Sequence, residues 1–253
     1  MKHLIRTRFA KDIIAEVQIP ERQTGKVAIL ASGLPATPPR RSVFEFLVDK
    51  GYTVIAFRYR GTWESGGTFL QESPAKDVKL VVESLVKKQG IHDLYNQVDI
   101  PLKVKHIHLF GNSFGGPAVL LNTDLPLVSK VVALSPVLDW TEESKTEPFD
   151  FFVRFTEDAF GAAYRLASSK TWHKLLTSDI YDPIKNHARI KGSKVFIIGT
   201  WDDDVTPSVL IPGMAELTGA SYYIKPKGGH LGMNNLTQKF YWNKIEAFLG
   251  KKS

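Results

Sequence analysis

The sequence predicts an α/β protein, a mostly parallel sheet covered by helices on both faces. Two observations carry this expectation. Short apolar runs of strand length alternate with amphipathic helical segments along most of the chain. Such alternation builds βαβ units with right-handed crossovers and a sheet buried on both sides. The composition also suits a buried core, with 253 residues, 43% hydrophobic and 23% charged. Ligands of such sheets bind beyond the carboxyl ends of the strands, so chemistry is expected there.

The elements follow in order. Residues 13–19 and 26–31 are β-rich, and the turn signal at 21–25 between them predicts an opening hairpin. Pro38-Pro39 opens a helix over 40–50, stopped by Gly51. Residues 52–57 form an apolar run of buried-strand type. Pro74 starts a helix with Val78, Val81, Val82, Leu85 and Val86 on one face, ending near Gly90. Residues 106–110 predict a strand and 115–121 a helix. Further strands are expected at 131–134, 195–198 and 222–224, and a closing helix at 236–249. Residues 141–189 break this rhythm. They lack β-runs of the same quality, are rich in aromatics and exceed an ordinary connection. They are expected to form an inserted helical cap on a single domain spanning 1–253; the alternative is an elaborate loop packed on the sheet edge.

Composition excludes several functions. There are no cysteines, so disulfides, thiolate zinc sites and a thiol nucleophile are ruled out. No apolar run approaches the roughly 20 residues of a membrane span. The first 19 residues lack the apolar centre of an export signal, and a cytoplasmic location is expected. The net charge of +7 comes from scattered basic residues with no nucleic-acid motif, so neither nucleic acid nor membrane is expected as a partner. Oligomeric state is not readable from the chain.

The chemical signal begins at Gly111-Asn112-Ser113-Phe114-Gly115, a G-x-S-x-G pentapeptide. Chance alone produces such a match in roughly one chain in ten of this length. Its setting adds specificity, because a strand leads in and a helix leads out. A serine on so sharp a turn projects beyond the sheet as a nucleophile. It needs a base to take its proton and an acid to orient that base. Of the histidines after Ser113, only His230 lies in a glycine-flanked loop behind a strand. Asp202, Asp203 and Asp204 follow another strand directly, and spacing does not choose among them.

These residues resemble the α/β-hydrolase family, more narrowly its prolyl-oligopeptidase and esterase-like branches. The resemblance covers nearly the whole chain. Gly111 to Gly116 is similar to the family's nucleophile elbow, the segment from Phe57 to Gly67 to the one after its fourth strand, and Leu134-Ser135-Pro136-Val137 to the end of its sixth. Gly229-His230 resembles the histidine loop. The resemblance implies an α/β-hydrolase fold with a mostly parallel eight-stranded sheet. It also implies an acid three residues after Gly199, which selects Asp202. Where the family has His-Gly after its third strand, this chain has Ser32-Gly33-Leu34. Backbone donors for an oxyanion are then expected from Leu34 and Phe114.

The expected activity is hydrolysis of a small-molecule carboxylic ester by Ser113, Asp202 and His230 through an acyl-enzyme. Phe152, Phe155 and Trp201 are expected to bind substrate, and no cofactor or metal is implied. Amide or peptide hydrolysis of prolyl-oligopeptidase type is the first alternative. A non-catalytic hydrolase-fold binding protein is the second.

Overall fold

The computed structural model describes residues 3–34, 39–142 and 144–251. Eight strands form the main sheet: β1 (Ile5–Phe9), β2 (Ile13–Gln18), β3 (Lys26–Ala31), β4 (Tyr52–Phe57), β7 (His106–Ser113), β8 (Val128–Pro136), β9 (Val195–Thr200) and β10 (Ser221–Lys225). Their spatial order is β1-β2-β4-β3-β7-β8-β9-β10. The six strands from β4 to β10 run parallel, and β2 runs against them, pairing antiparallel with both β4 and β1. A separate hairpin joins β5 (Gly90–Asp93) to β6 (Val98–Pro101).

The helices are α1 (Arg41–Asp49), α2 (Ala75–Lys88), α3 (Gly115–Leu120), α4 (Phe149–Phe160), α5 (Lys174–Thr177), α6 (Leu210–Thr218) and α7 (Lys239–Leu249). They cover both faces because strand side chains alternate. Along β3, Val27 and Ile29 face a core shared with Val78, Val82 and Leu85 of α2. Ala28 and Leu30 face the other core, with Phe44 and Leu47 of α1 and Trp242 and Ile245 of α7. Period 2 in the strands and the apolar faces of the helices thus agree, residue by residue.

The eight-stranded, mostly parallel sheet is the expected one. The opening hairpin is not. Residues 13–18 pair with β1 and β4, and β3 sits between β4 and β7. The expected hairpin leaves out β1, where Arg6 and Arg8 take one face and only Ile5 and Phe9 are apolar on the other, so the apolar signal of the strand is weak. Arg6 is half-buried and reaches Glu64, and a charged residue there weakens the apolar pattern. Pro38, expected to open α1, lies outside the described residues. Residues 141–189 hold α4, α5 and several single 3₁₀ turns. Among the described residues, no helix is long and apolar enough to cross a membrane.

Candidate active site

Ser113 ends β7, and its position follows from the local sequence. Its φ is +50°, a left-handed backbone uncommon for any residue with a side chain. The β7–β8 register slips between Asn112 and Ser113, where the strand breaks toward α3. Close packing forces the turn. A side chain at Gly115 would run into Ala31 O of β3, and one at Gly116 into Pro136 Cβ of β8. Asn112 Oδ1 accepts the Gly33 N–H at 3.2 Å, tying the turn to the end of β3. Phe114 is fully buried among Tyr59, Phe69, Trp140 and Tyr181, and its carbonyl accepts the Tyr181 hydroxyl at 2.6 Å.

His230 stands in the loop after β10. Its Nδ1 lies 3.0 and 3.1 Å from Oδ2 and Oδ1 of Asp203. Asp203 Oδ1 also accepts the Val205 and Thr206 N–H groups, each at 3.0 Å. The Asp203 carboxylate is fully buried, and the His230 side chain is 26% exposed. Burial works against the charged carboxylate. Hydrogen bonds from His230, Ser135 and the Thr206 amide outweigh it and hold the Asp203 pKa below the ordinary carboxylate range. A carboxylate kept ionised there fixes the imidazole tautomer with its proton on Nδ1, leaving Nε2 as the acceptor.

Here the structure corrects the expectation for Asp202. Its carboxylate does not meet His230; Oδ1 accepts the Gly228 and Gly229 N–H groups at 2.8 and 2.9 Å. Those amides, Gly229 first, lower the pKa of Asp202 as well. The physical reason is a tight turn after β9. Thr200 O accepts the Asp203 N–H at 3.2 Å, and the Trp201 N–H donates to Lys225 O at 2.9 Å. The turn spends one more residue than a count from Gly199 allows. Asp202 therefore anchors the histidine loop, and Asp203 pairs with the histidine. Asp204 is exposed, 4.0 Å from Lys145.

A cavity of ≈ 320 Å³ opens beside Ser113. Leu34 and Phe114 line it. Phe149 and Phe152 of α4 and Leu176 of α5 line it as well. Of the three side chains expected to bind substrate, only Phe152 is there. Phe155 does not line it; it is 46% exposed on α4 and stacked on Phe151 at 6.1 Å. Trp201 is 57% exposed, turned out with the backbone that pairs to Lys225. Asp139, Glu142 and Glu147 also line the cavity, and no basic residue does among the described residues. No group of three or more metal-ligating side chains occurs among them either.

Two participants carried no sequence signal of their role. Thr206 Oγ1 lies 3.1 Å from Asp203 Oδ2 and 3.4 Å from His230 Nδ1. Ser135 Oγ accepts the Leu231 N–H at 3.0 Å. The resemblance marked Ser135 only as a strand end.

A serine in a left-handed turn between parallel strands, with a carboxylate–histidine pair delivered by later strand ends, defines a hydrolase-type α/β scaffold. Residues 28–238 match the alpha/beta hydrolase family, and the chain belongs to it. Its structure is similar to an esterase from Pyrococcus furiosus, with a TM-score of 0.68 and 18% identity over 98% of this chain and 90% of that one. It is also similar to a serine hydrolase without a lid from Xanthomonas campestris, at a TM-score of 0.60 and 14% identity over 100% and 97%. An acylaminoacyl peptidase from Pyrococcus horikoshii matches at a TM-score of 0.61 and 15% identity, over 100% of this chain and 42% of that one. No curated protein matches the sequence.

Proposed function

We propose that the protein is a serine esterase that cleaves carboxylic esters through an acyl-enzyme, with residues 141–189 as the cap of its site. The observation that carries this reading is the Asp203–His230 pair, joined through Thr206 to a cavity that Ser113 lines from a left-handed turn. His230 Nε2 takes the Ser113 hydroxyl proton as Oγ attacks the ester carbonyl. The negative charge on the carbonyl oxygen is met by the Phe114 and Leu34 N–H groups. The tetrahedral adduct collapses, the C–O bond to the alcohol breaks, and His230 returns the proton to the departing alkoxide. Water then repeats the sequence: it loses a proton to His230, attacks the acyl carbonyl and frees the acid and Ser113. Asp203 keeps its charge throughout and holds the imidazole in place.

A fluorophosphonate probe tests the nucleophile. It should label the wild type and leave Ser113→Ala unlabelled; equal labelling of both would refute the assignment. Short acyl p-nitrophenyl esters compared with aminoacyl anilides test the bond cleaved, and faster anilide turnover would make the protein an amidase.

A further inference from the structure

Ser135 is a second serine on a left-handed turn. It lies one strand over from Ser113, has φ +40° and is 1% exposed near the end of β8. Such backbone suits glycine, and a side chain there is held against a steric penalty. Serine earns its place through two contacts. Its Oγ accepts the N–H of Leu231, the residue after His230, at 3.0 Å. Its carbonyl accepts from Thr206 Oγ1 at 3.2 Å, and that same hydroxyl reaches Asp203 Oδ2 and His230 Nδ1. The Ser135 hydroxyl proton, not used toward Leu231, is available to the Asp203 carboxylate.

The two chain segments that supply the acid and the base therefore meet on one residue. The acid loop arrives through Thr206 and the histidine loop through Leu231, each from a different strand. Without the hydroxyl, the Leu231 amide loses its buried acceptor, and the loop's remaining backbone anchors, Asp202 to the Gly228 and Gly229 N–H groups and Thr200 to Gly229 O, all lie upstream of the imidazole.

We propose that Ser135 is a positioning residue for the acid–base pair, its hydroxyl holding the histidine loop so that His230 Nδ1 stays on Asp203. This rests on the esterase reading above. Ser135 touches no substrate; it acts through His230.

Ser135→Gly separates positioning from mere stability. Glycine relieves the left-handed backbone and keeps the carbonyl that binds Thr206, removing only the hydroxyl. The expected result is a kcat about 10-fold lower on a p-nitrophenyl ester, with KM unchanged. The acid limb of the kcat/KM profile should shift, and the melting temperature should stay within about 2 °C of wild type. The downfield Nδ1–H proton resonance of His230 should move or broaden. Ser135→Ala should lower kcat equally but also lose stability, since it keeps the strained backbone. Wild-type kcat in Ser135→Gly, or an unmoved Nδ1–H resonance, would overturn the proposal. So would a kcat that falls only in proportion to lost stability. If the wild type hydrolyses no ester, the esterase reading fails, and the resonance still reports whether Ser135 controls the pair.

Discussion

The carboxyl edge of the sheet and the helical excursion over it hold their side chains by different means. At the sheet edge, Asp203, Ser135 and the histidine loop are fixed by hydrogen bonds to backbone groups of neighbouring loops and strands. In the excursion, aromatic packing dominates: Phe152 meets Trp172 at 5.5 Å, and Trp172 meets Phe69 at 5.5 Å. Backbone ties join it to the rest of the chain at 145–146, 163–165 and 184, among them Trp63 N–H to Ala163 O and Phe69 N–H to Arg165 O at 2.7 Å each, while Phe152 of α4 meets its neighbours by ring packing. Hydrogen bonds are directional and fix angles; ring packing is broad and tolerates exchange. Changes at the sheet edge should therefore remove turnover, while changes in the excursion should alter which substrate is turned over.

The largest expected effect sits at the edge. Ser113→Ala should abolish phosphonate labelling. Asp203→Ala should lower kcat about 10³- to 10⁴-fold, since it frees the imidazole to adopt the wrong tautomer. Asp202→Ala should cost less than about 10-fold, through a looser histidine loop alone. Steady-state kinetics on one p-nitrophenyl ester decide between the neighbours, and a larger loss at 202 would reverse the assignment.

Smaller effects belong to the excursion. Phe152→Ala should change kcat/KM for a bulky apolar acyl group by about 10-fold. Phe155→Ala and Trp201→Ala, both turned to solvent, should change it less than about twofold. The three carboxylates lining the cavity should disfavour anionic acyl groups. A neutral ester should outrun its carboxylate-bearing analogue by a few-fold at low salt, and the gap should close as salt screens the charges. A substitution in the excursion that abolished labelling of Ser113 would break the contrast between the two regions.

The smallest effect lies far from the site and concerns pH. Burial, followed by the nearby Lys26 charge, pushes the His108 pKa down to about 4; its Nδ1 is 2.7 Å from the Tyr52 hydroxyl. The unfolded chain has an ordinary histidine there and binds protons that the native state refuses. Stability should thus rise with pH between about 4 and 6.5, by at most roughly 3 kcal/mol, and be lost on acidification through that window. His108→Gln should flatten this dependence in urea melts at pH 5 and 7. Asp203 acts lower: its depressed pKa contributes stability above the unfolded carboxylate value, lost as pH falls through the folded one.

The sequence made the sheet legible where strands are apolar and flanked by amphipathic helices, as at β4, β7 and α2. It failed at β1, whose alternate arginines mask a strand. The sharp turn at Ser113 and the place of His230 in a loop after a strand were readable because glycines and chain order single them out. The acid was not, because three identical residues in a row carry no register. Only the turn closed by Thr200 O decides which of them faces the histidine. Ser135 and Thr206 act through contacts spanning 96 and 24 positions of chain, which local pattern does not encode.

The packing around Gly115 and Gly116 has a mechanical consequence. With Ala31 O close on one side of the turn and Pro136 on the other, the backbone just after Ser113 has no room for even a methyl group, which makes it the tighter jaw of a vise. His230 hangs from a loop secured by a handful of hydrogen bonds and is partly open to solvent. Any closing of the gap during a turnover must come from that second jaw, and the screw that sets its travel is the Leu231–Ser135 contact.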